Sequence, residues 1–132
     1  MRTTKAKDIG LLIIRLAVGA SMLIFHGIPK VSGGVEKLES FGNAMKHVGI
    51  NFIPVFWGGA AAGAEVLGSL LFMLGLWTRP VSAVMALTML VASIYHLGEG
   101  HGWAKSSHTI ELFFVFVAFA LMGAGKYSVD KK

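Results

Sequence analysis

Apolar residues in this chain fall into four long blocks, separated by shorter stretches where polar and charged residues gather. The blocks cover roughly 8–27, 54–77, 80–97 and 108–124, each near the ~17–25 residues a helix needs to cross about 30 Å of hydrocarbon. They are continuous runs without the ~10-residue alternating segments of barrel strands, so spanning helices are predicted. Only "WTRP" separates the second and third blocks. Pro80 suits the first turn of a new helix and Arg79 a membrane surface, which makes those two helices an antiparallel hairpin. In the longer first loop Val35, Leu38, Phe41, Met45 and Val48 recur at helical spacing, with Glu36, Lys37, Glu39 and Lys46 on other faces. That pattern predicts an amphipathic helix over about 35–48, lying on the membrane surface.

Composition turns this pattern into a fold class. Across 132 residues, 55% are hydrophobic and 14% charged, with mean hydropathy +0.68, well above an ordinary soluble domain. The expectation is a single all-α domain, a four-helix antiparallel bundle in the membrane. The formal charge of +5 sits at the ends and in loops, where it orients helices rather than gripping nucleic acid. With both termini on one side, Arg2, Lys5, Lys7, Arg79, Lys126, Lys131 and Lys132 share it, against Lys30, Lys37, Lys46 and Lys105 opposite. The positive-inside rule then makes the termini cytoplasmic, with Trp77 near the inner interface and Trp57, Tyr95 and Trp103 near the outer one. The basic opening followed by apolar residues resembles a signal peptide, but Arg15 interrupts it and further spans follow, so it reads as an uncleaved first span. Cysteine is absent, which excludes disulfides, a thiolate zinc site and thiol redox chemistry in these residues. Any redox role therefore needs a bound cofactor or a partner.

The chemistry lies in ionisable residues placed where lipid should be. Arg15 and Glu65 each fall near the middle of a span by residue count, and an ionisable group there costs at least ~2.5–3.5 kcal/mol on insertion scales. Both are expected to face the bundle interior, and a midplane Arg15–Glu65 pair is the simplest arrangement. Small residues around Glu65, including the Gly59/Gly63 step, favour an inward, closely packed face. From Arg15 to His26 is three helical turns plus about 20°, which puts both on one stripe some 16 Å apart, with Gly19 and Met22 between. His96 ends the third span on the outer side, and His108 and Glu111 share a face at the outer start of the fourth. Lys30 either joins this polar column or snorkels to the surface.

Each feature also has a plain structural role: Arg15 with Glu65 as a clamp fixing helix register, single histidines as solvated or hydrogen-bonded interface residues, methionines as packing filler. Among functional readings, a divalent metal on the His and Glu group is a weak fit, because its ligands come from three helices and only His108 and Glu111 are locally spaced. Haem between His26 and His96 is weaker still, since both lie near the surface. A lipid-soluble quinone fits better: an apolar slot ending in Arg15, His26, Lys30, Glu65, His96 and Glu111 offers hydrogen bonds and proton exchange to ring oxygens.

Several segments together, "RLAVGASMLIFHGIPKV", "AEVLGSLLFMLGLWTRPVSAVMALTMLVA", "IEL" and "GAGKYSVD", resemble the DoxX family of small bacterial membrane proteins. By that resemblance Arg15, His26, Gly27, Lys30, Glu65, Thr78, Arg79, Glu111, Tyr127, Ser128 and Asp130 match positions of the family pattern. It implies a four-helix inner-membrane protein tied to redox processes. Related proteins include a subunit of a thiosulfate:quinone oxidoreductase, a component of complexes defending against oxidative and thiol stress, and members linked to quinone or catechol resistance. The expected role is a quinone-linked membrane subunit or accessory of a redox system, with redox partner subunits. The competing classes are a non-catalytic assembly or scaffold subunit and a small transporter or channel.

Overall fold

The computed structural model describes residues 2–131, apart from the side chains of Arg2, Thr3, Lys37, Ser40, Phe41, Ala44 and Val48. Lys132 and the side chains of Arg2 and Lys37 in the basic tally therefore lie outside the described residues, as do those of Phe41 and Val48 on the expected amphipathic face. Helix α1 (Arg2–Met22) runs without a break through a π turn (Leu23–Gly27) into α2 (Ile28–Ser32). Helix α3 (Gly34–Gly42) continues as a 3₁₀ segment (Asn43–Val48), and α4 (Pro54–Leu74), α5 (Thr78–Gly98) and α6 (Gly102–Met122) follow. Four stretches are long and apolar enough to cross a membrane, Thr4–Ser32, Pro54–Leu74, Thr78–Gly98 and Gly102–Met122. The chain is an all-helical, multi-pass membrane protein.

Two spans differ from the hydropathy pattern. The first continues to Ser32 rather than ending near 27, and the last begins at Gly102 rather than near 108. Hydropathy marks the part of a helix that sits in hydrocarbon, whereas backbone hydrogen bonding continues into the interface until a breaker stops it. Here the breakers are Gly34, Gly100 and Gly102, all at positive φ. The polar first turns of α6 are held by Ser106 and Ser107, whose hydroxyls donate to the Gly102 and Ala104 carbonyls at 2.8 Å.

The π turn has a cause in Pro29. A proline has no N–H for the carbonyl four residues back, and its ring collides with that carbonyl. Widening the turn over Leu23–Gly27, with the Ile28 N–H reaching Leu23 O, relieves the clash without ending the helix.

Helix α1 packs on α4, α4 on α5 and α5 on α6. Phe72 of α4 stacks edge-on against Phe116 and Phe119 of α6, ring centroids 5.2 and 4.9 Å apart, and with Met22, Met85 and Met89 these fully buried side chains form the core. Both chain ends meet at one end of the bundle, where the Lys126 N–H donates to Asp8 Oδ1 at 3.2 Å. The segment after α6 folds across the α4–α5 turn there, with Val129 N–H donating to Leu74 O and Asp130 N–H to Gly75 O. The Asp130 carboxylate then accepts from the Trp77 and Thr78 N–H groups, both at 2.9 Å. It thereby caps the start of α5, which has no cap of its own. We call this the tail end.

Close packing on α4 falls on Gly58 and Gly68, two of the small residues the sequence places near the Glu65 face, and not on the Gly59/Gly63 step. Among the described residues, a Cβ on Gly59 or Gly63 would meet nothing within 4 Å, so that step carries no helix contact there. A Cβ on Gly58 would collide with the Leu38 carbonyl, and one on Gly42 with the Pro54 carbonyl. These two glycines seat α3 directly on the start of α4, so this segment lies against the bundle at the end opposite the tail.

Candidate functional site

Where α1 passes α4, the two backbones nearly touch. A Cβ on Gly27 would come within 2.9 Å of Val66 Cγ2 and 3.2 Å of Val66 N. This approach, inside the π turn, brings the neighbours of Gly27 against the middle of α4. One turn on, Lys30 Nζ donates to Glu65 Oε1 at 2.5 Å. The carboxylate is fully buried, and the lysine side chain is 15% exposed. Glu65 is thus neutralised inside the membrane, but by Lys30 and not by Arg15.

Arg15 is elsewhere. Gly19 packs against Ser69 and Met73 while Gly27 packs against Val66, so the antiparallel register sets Arg15 about 18 Å along the axis from the level of Glu65. The expected midplane pair fails on register: with Gly27 level with Val66 and Gly19 level with Ser69 and Met73, Arg15 falls beside the last turn of α4, toward the tail end. There the buried guanidinium donates to Met73 O at 2.9 Å and to Tyr127 O, beside Asp130. Met73 lies in the last turn of α4, whose carbonyls have no intrahelical donor, so Arg15 satisfies an orphan acceptor and complements the helix dipole. Arg15 belongs to a structural clamp on the tail and not to the polar group at Glu65.

Around Glu65 the bundle encloses a cavity of about 380 Å³. His26, Lys30, Glu65 and His96 line it, so four of the six anticipated residues are brought together. Arg15 and Glu111 are not among the lining residues, and Glu111 is exposed on α6. The rest of the wall is mostly apolar: Ala60, Ala61 and Ala64 from α4, Val84, Leu87 and Val91 from α5. Among the described residues, two lining groups hold buried polar atoms with no hydrogen-bond partner, Glu65 Oε2 and Trp57 Nε1. A buried donor or acceptor left unpaired costs about 1–3 kcal/mol. The cavity therefore carries unsatisfied hydrogen-bonding capacity of both signs in an apolar surround.

The histidines extend this polarity away from the tail end. His26 Nε2 and His108 Nε2 are 2.8 Å apart, one ring donating and the other accepting, and His96 Nδ1 and His101 Nδ1 are 2.9 Å apart. His108 is exposed, so the first pair runs from the cavity wall to the surface. His47 stacks edge-on against Tyr95 and approaches Glu99 at 3.4 Å, with Lys46 at 3.6 Å. The His47 hydrogen bond and then the Lys46 charge hold the Glu99 carboxyl below its usual value. Among the described residues no group of three or more histidines and carboxylates comes together in a metal-binding arrangement. Sequence reasoning missed Trp57, Thr109 and the alanines as cavity walls. For Trp57 the signal was its position two turns before Glu65 on one helix; for Thr109, bonded to Ser93 at 2.9 Å, no sequence signal pointed inward.

The DoxX family model matches residues 10–97, which include the π turn, Lys30, Glu65 and His96. A Bacillus subtilis (strain 168) protein named "Putative oxidoreductase CatD" is 32% identical over 90 residues, 68% of this chain and 61% of its own length. The matched region thus spans about three fifths of that relative. No solved structure matches the chain.

Proposed function

The chain belongs to the DoxX family, and from that premise we propose that its cavity holds the ring of a lipid-soluble quinone, as the membrane subunit or accessory of a bacterial redox system. The observation that carries the reading is the pairing of an apolar cavity with unpartnered Glu65 Oε2 and Trp57 Nε1 beside the Lys30–Glu65 ion pair. Ring oxygens accept from an indole N–H or an ammonium, and a reduced ring donates to a carboxylate, so the groups present fit both redox forms. At about 380 Å³ the cavity is at the small end of the range for ligand sites, the size of a ring system and not of a large cofactor. The relative's name, an oxidoreductase, points the same way.

A quinone, when bound, supplies a two-electron, two-proton couple. The residues of this chain bind it and handle protons, and the electrons come from a redox partner subunit. Lys30 holds Glu65 in place, Glu65 presents Oε2 to the cavity, and the His26–His108 pair connects the cavity to the surface as a proton relay. The tail end, with Lys5, Lys7, Arg79, Lys126 and Lys131, is cytoplasmic by the positive-inside rule, and the histidine end faces outward across the bacterial inner membrane.

The test is organic extraction of the protein, purified in mild detergent, followed by mass spectrometry, together with quenching of Trp57 fluorescence by added menadione in a Trp77→Phe/Trp103→Phe background. Co-purified quinone and saturable quenching are expected. Absence of both overturns the proposal.

A further inference from the structure

The walls of the cavity are not closed equally. Toward the tail end α4 and α5 are in contact: a Cβ on Gly68 would come within 2.6 Å of Met85 Sδ, and Met85 and Met89 are buried. At the histidine end the 3₁₀ segment forms a roof. Its Met45 lines the cavity, its His47 packs against Tyr95 and against Gly98, and the preceding helix is seated on Gly58. Behind lie α1 and α2, tied to α4 at Gly27 and through Lys30–Glu65, and Thr109 of α6, tied to Ser93. In front, from about the level of Leu87 toward the histidine end, α4 and α5 line the cavity with small or part-exposed side chains. Between Trp57 and Glu65, α4 offers the methyl groups of Ala60, Ala61 and Ala64. From α5, Val84 and Leu87 line the cavity while 50% and 60% exposed, so the same side chains face both the cavity and the bilayer.

We infer that the ligand enters sideways from the hydrocarbon through this gap between α4 and α5, and that it carries an apolar tail that remains there, crossing Leu87. The direction of the tail follows from the surface beyond the gap. Leu87 is also one wall of an apolar groove of about 320 Å³ between α5 and α6, bounded by Ala83, Leu90, Phe113 and Val117. A chain leaving the cavity past Leu87 lies in that groove, along α5 and not along α4.

The apolar tail gains no hydrophobic transfer energy by moving from lipid into a groove, because lipid chains are as apolar as leucine. The gap therefore selects by phase more than by affinity: it admits molecules dissolved in the bilayer, while the roof keeps water-soluble competitors out. This rests on the quinone reading for the identity of the ring, and the experiment separates the two.

Wild-type protein in liposomes is loaded with a quinone bearing a diazirine on the first segment of its tail, illuminated and mapped by peptide mass spectrometry. Adducts are expected on residues 81–91 of α5, falling roughly tenfold with a tenfold excess of menaquinone-4 by mass action. Competable adducts on the roof at 43–48 or on 100–105 instead overturn the lateral route, while Trp57 quenching by menadione, a bare ring without a tail, leaves the quinone site standing. If menadione does not quench Trp57 and no adduct is competable, both readings fall together.

Discussion

Replacing Arg15 by Met keeps an apolar stem of similar bulk and removes only the guanidinium head. Two backbone carbonyls, Met73 O and Tyr127 O, then lose a charged donor, and both are at a site where Arg15 is fully buried. Hydrogen bonds to charged groups contribute about 1.5–3 kcal/mol each, so the loss is about 3–5 kcal/mol, allowing for incomplete additivity. Much of it falls locally on the segment after α6, which is held to the α4–α5 turn by Val129 N–H to Leu74 O and Asp130 N–H to Gly75 O. Hydrogen exchange at those two amides reads this directly: a local weakening of about 3–5 kcal/mol speeds exchange by roughly 10²–10⁴-fold. Menadione binding, read by Trp57 quenching, is expected to stay at the wild-type level, because the cavity is about 18 Å away along the helix. A protected tail combined with lost quenching would refute the reasoning and return Arg15 to the ligand site.

Lys30→Met alone leaves Glu65 buried without its cation and is expected to destabilise by about 3–5 kcal/mol in detergent unfolding, while the Lys30→Met/Glu65→Leu double variant recovers most of that loss; additive losses would show that the pair is not coupled. Gly58→Ala drives a methyl group into the Leu38 carbonyl and should lower stability by about 1–3 kcal/mol, with faster exchange confined to residues 34–48 and the start of α4. The roof also responds to acid: the Glu99 pKa is lowered in the folded protein, so its support is complete above the ordinary carboxylate value of 4.5 and is lost as the pH falls through the folded value below that. Exchange in the 43–48 segment should therefore rise below pH 4.5, and Glu99→Gln should give the same rise at neutral pH.

The number, type and order of the spans were legible because an unbroken apolar run of some twenty residues suits a membrane-crossing helix and little else. Depth was not. Counting residues from an apolar block locates Arg15 at mid-membrane, but depth depends on the register between helices, and Gly19 and Gly27 fix that register only in three dimensions. Lys30 reads from sequence either as part of the polar column or as a snorkelling lysine, because the apolar block stops near 27; the π turn before Pro29 carries the helix on and brings Lys30 to Glu65. Gly59 and Gly63 match a helix-packing pattern that Gly58 and Gly68 fulfil, since the pattern specifies a spacing and not a face. Of the polar column, His26, Lys30, Glu65 and His96 share one cavity, while Arg15 and Glu111 fall outside it.

The two intramembrane charges that residue counting pairs with each other divide the bundle into halves with opposite requirements. At the tail end the charged groups find partners within the fold: Arg15 closes the end of α4, Asp130 closes the start of α5, and the hairpin between them is fixed. At the other half the packing is withheld, with alanine methyls lining the cavity. Among the described residues both halves hold unpartnered buried polar atoms, Glu65 Oε2 and Trp57 Nε1 here and Arg15 Nε, Thr78 Oγ1 and Ser82 Oγ toward the tail, so packing and not polarity separates them. Unpaired buried polarity is destabilising, so it persists only where the rest of the fold carries it. The clamp can carry it because it rigidifies the end where α4 and α5 touch, which lets the same two helices stay apart at the other. On this argument Asp130→Ala, which removes the cap on α5 at a cost of about 1 kcal/mol, should loosen the tail end and still leave the cavity able to bind menadione. Loss of quenching in that variant at a temperature where the protein remains folded would show that the two halves are mechanically one.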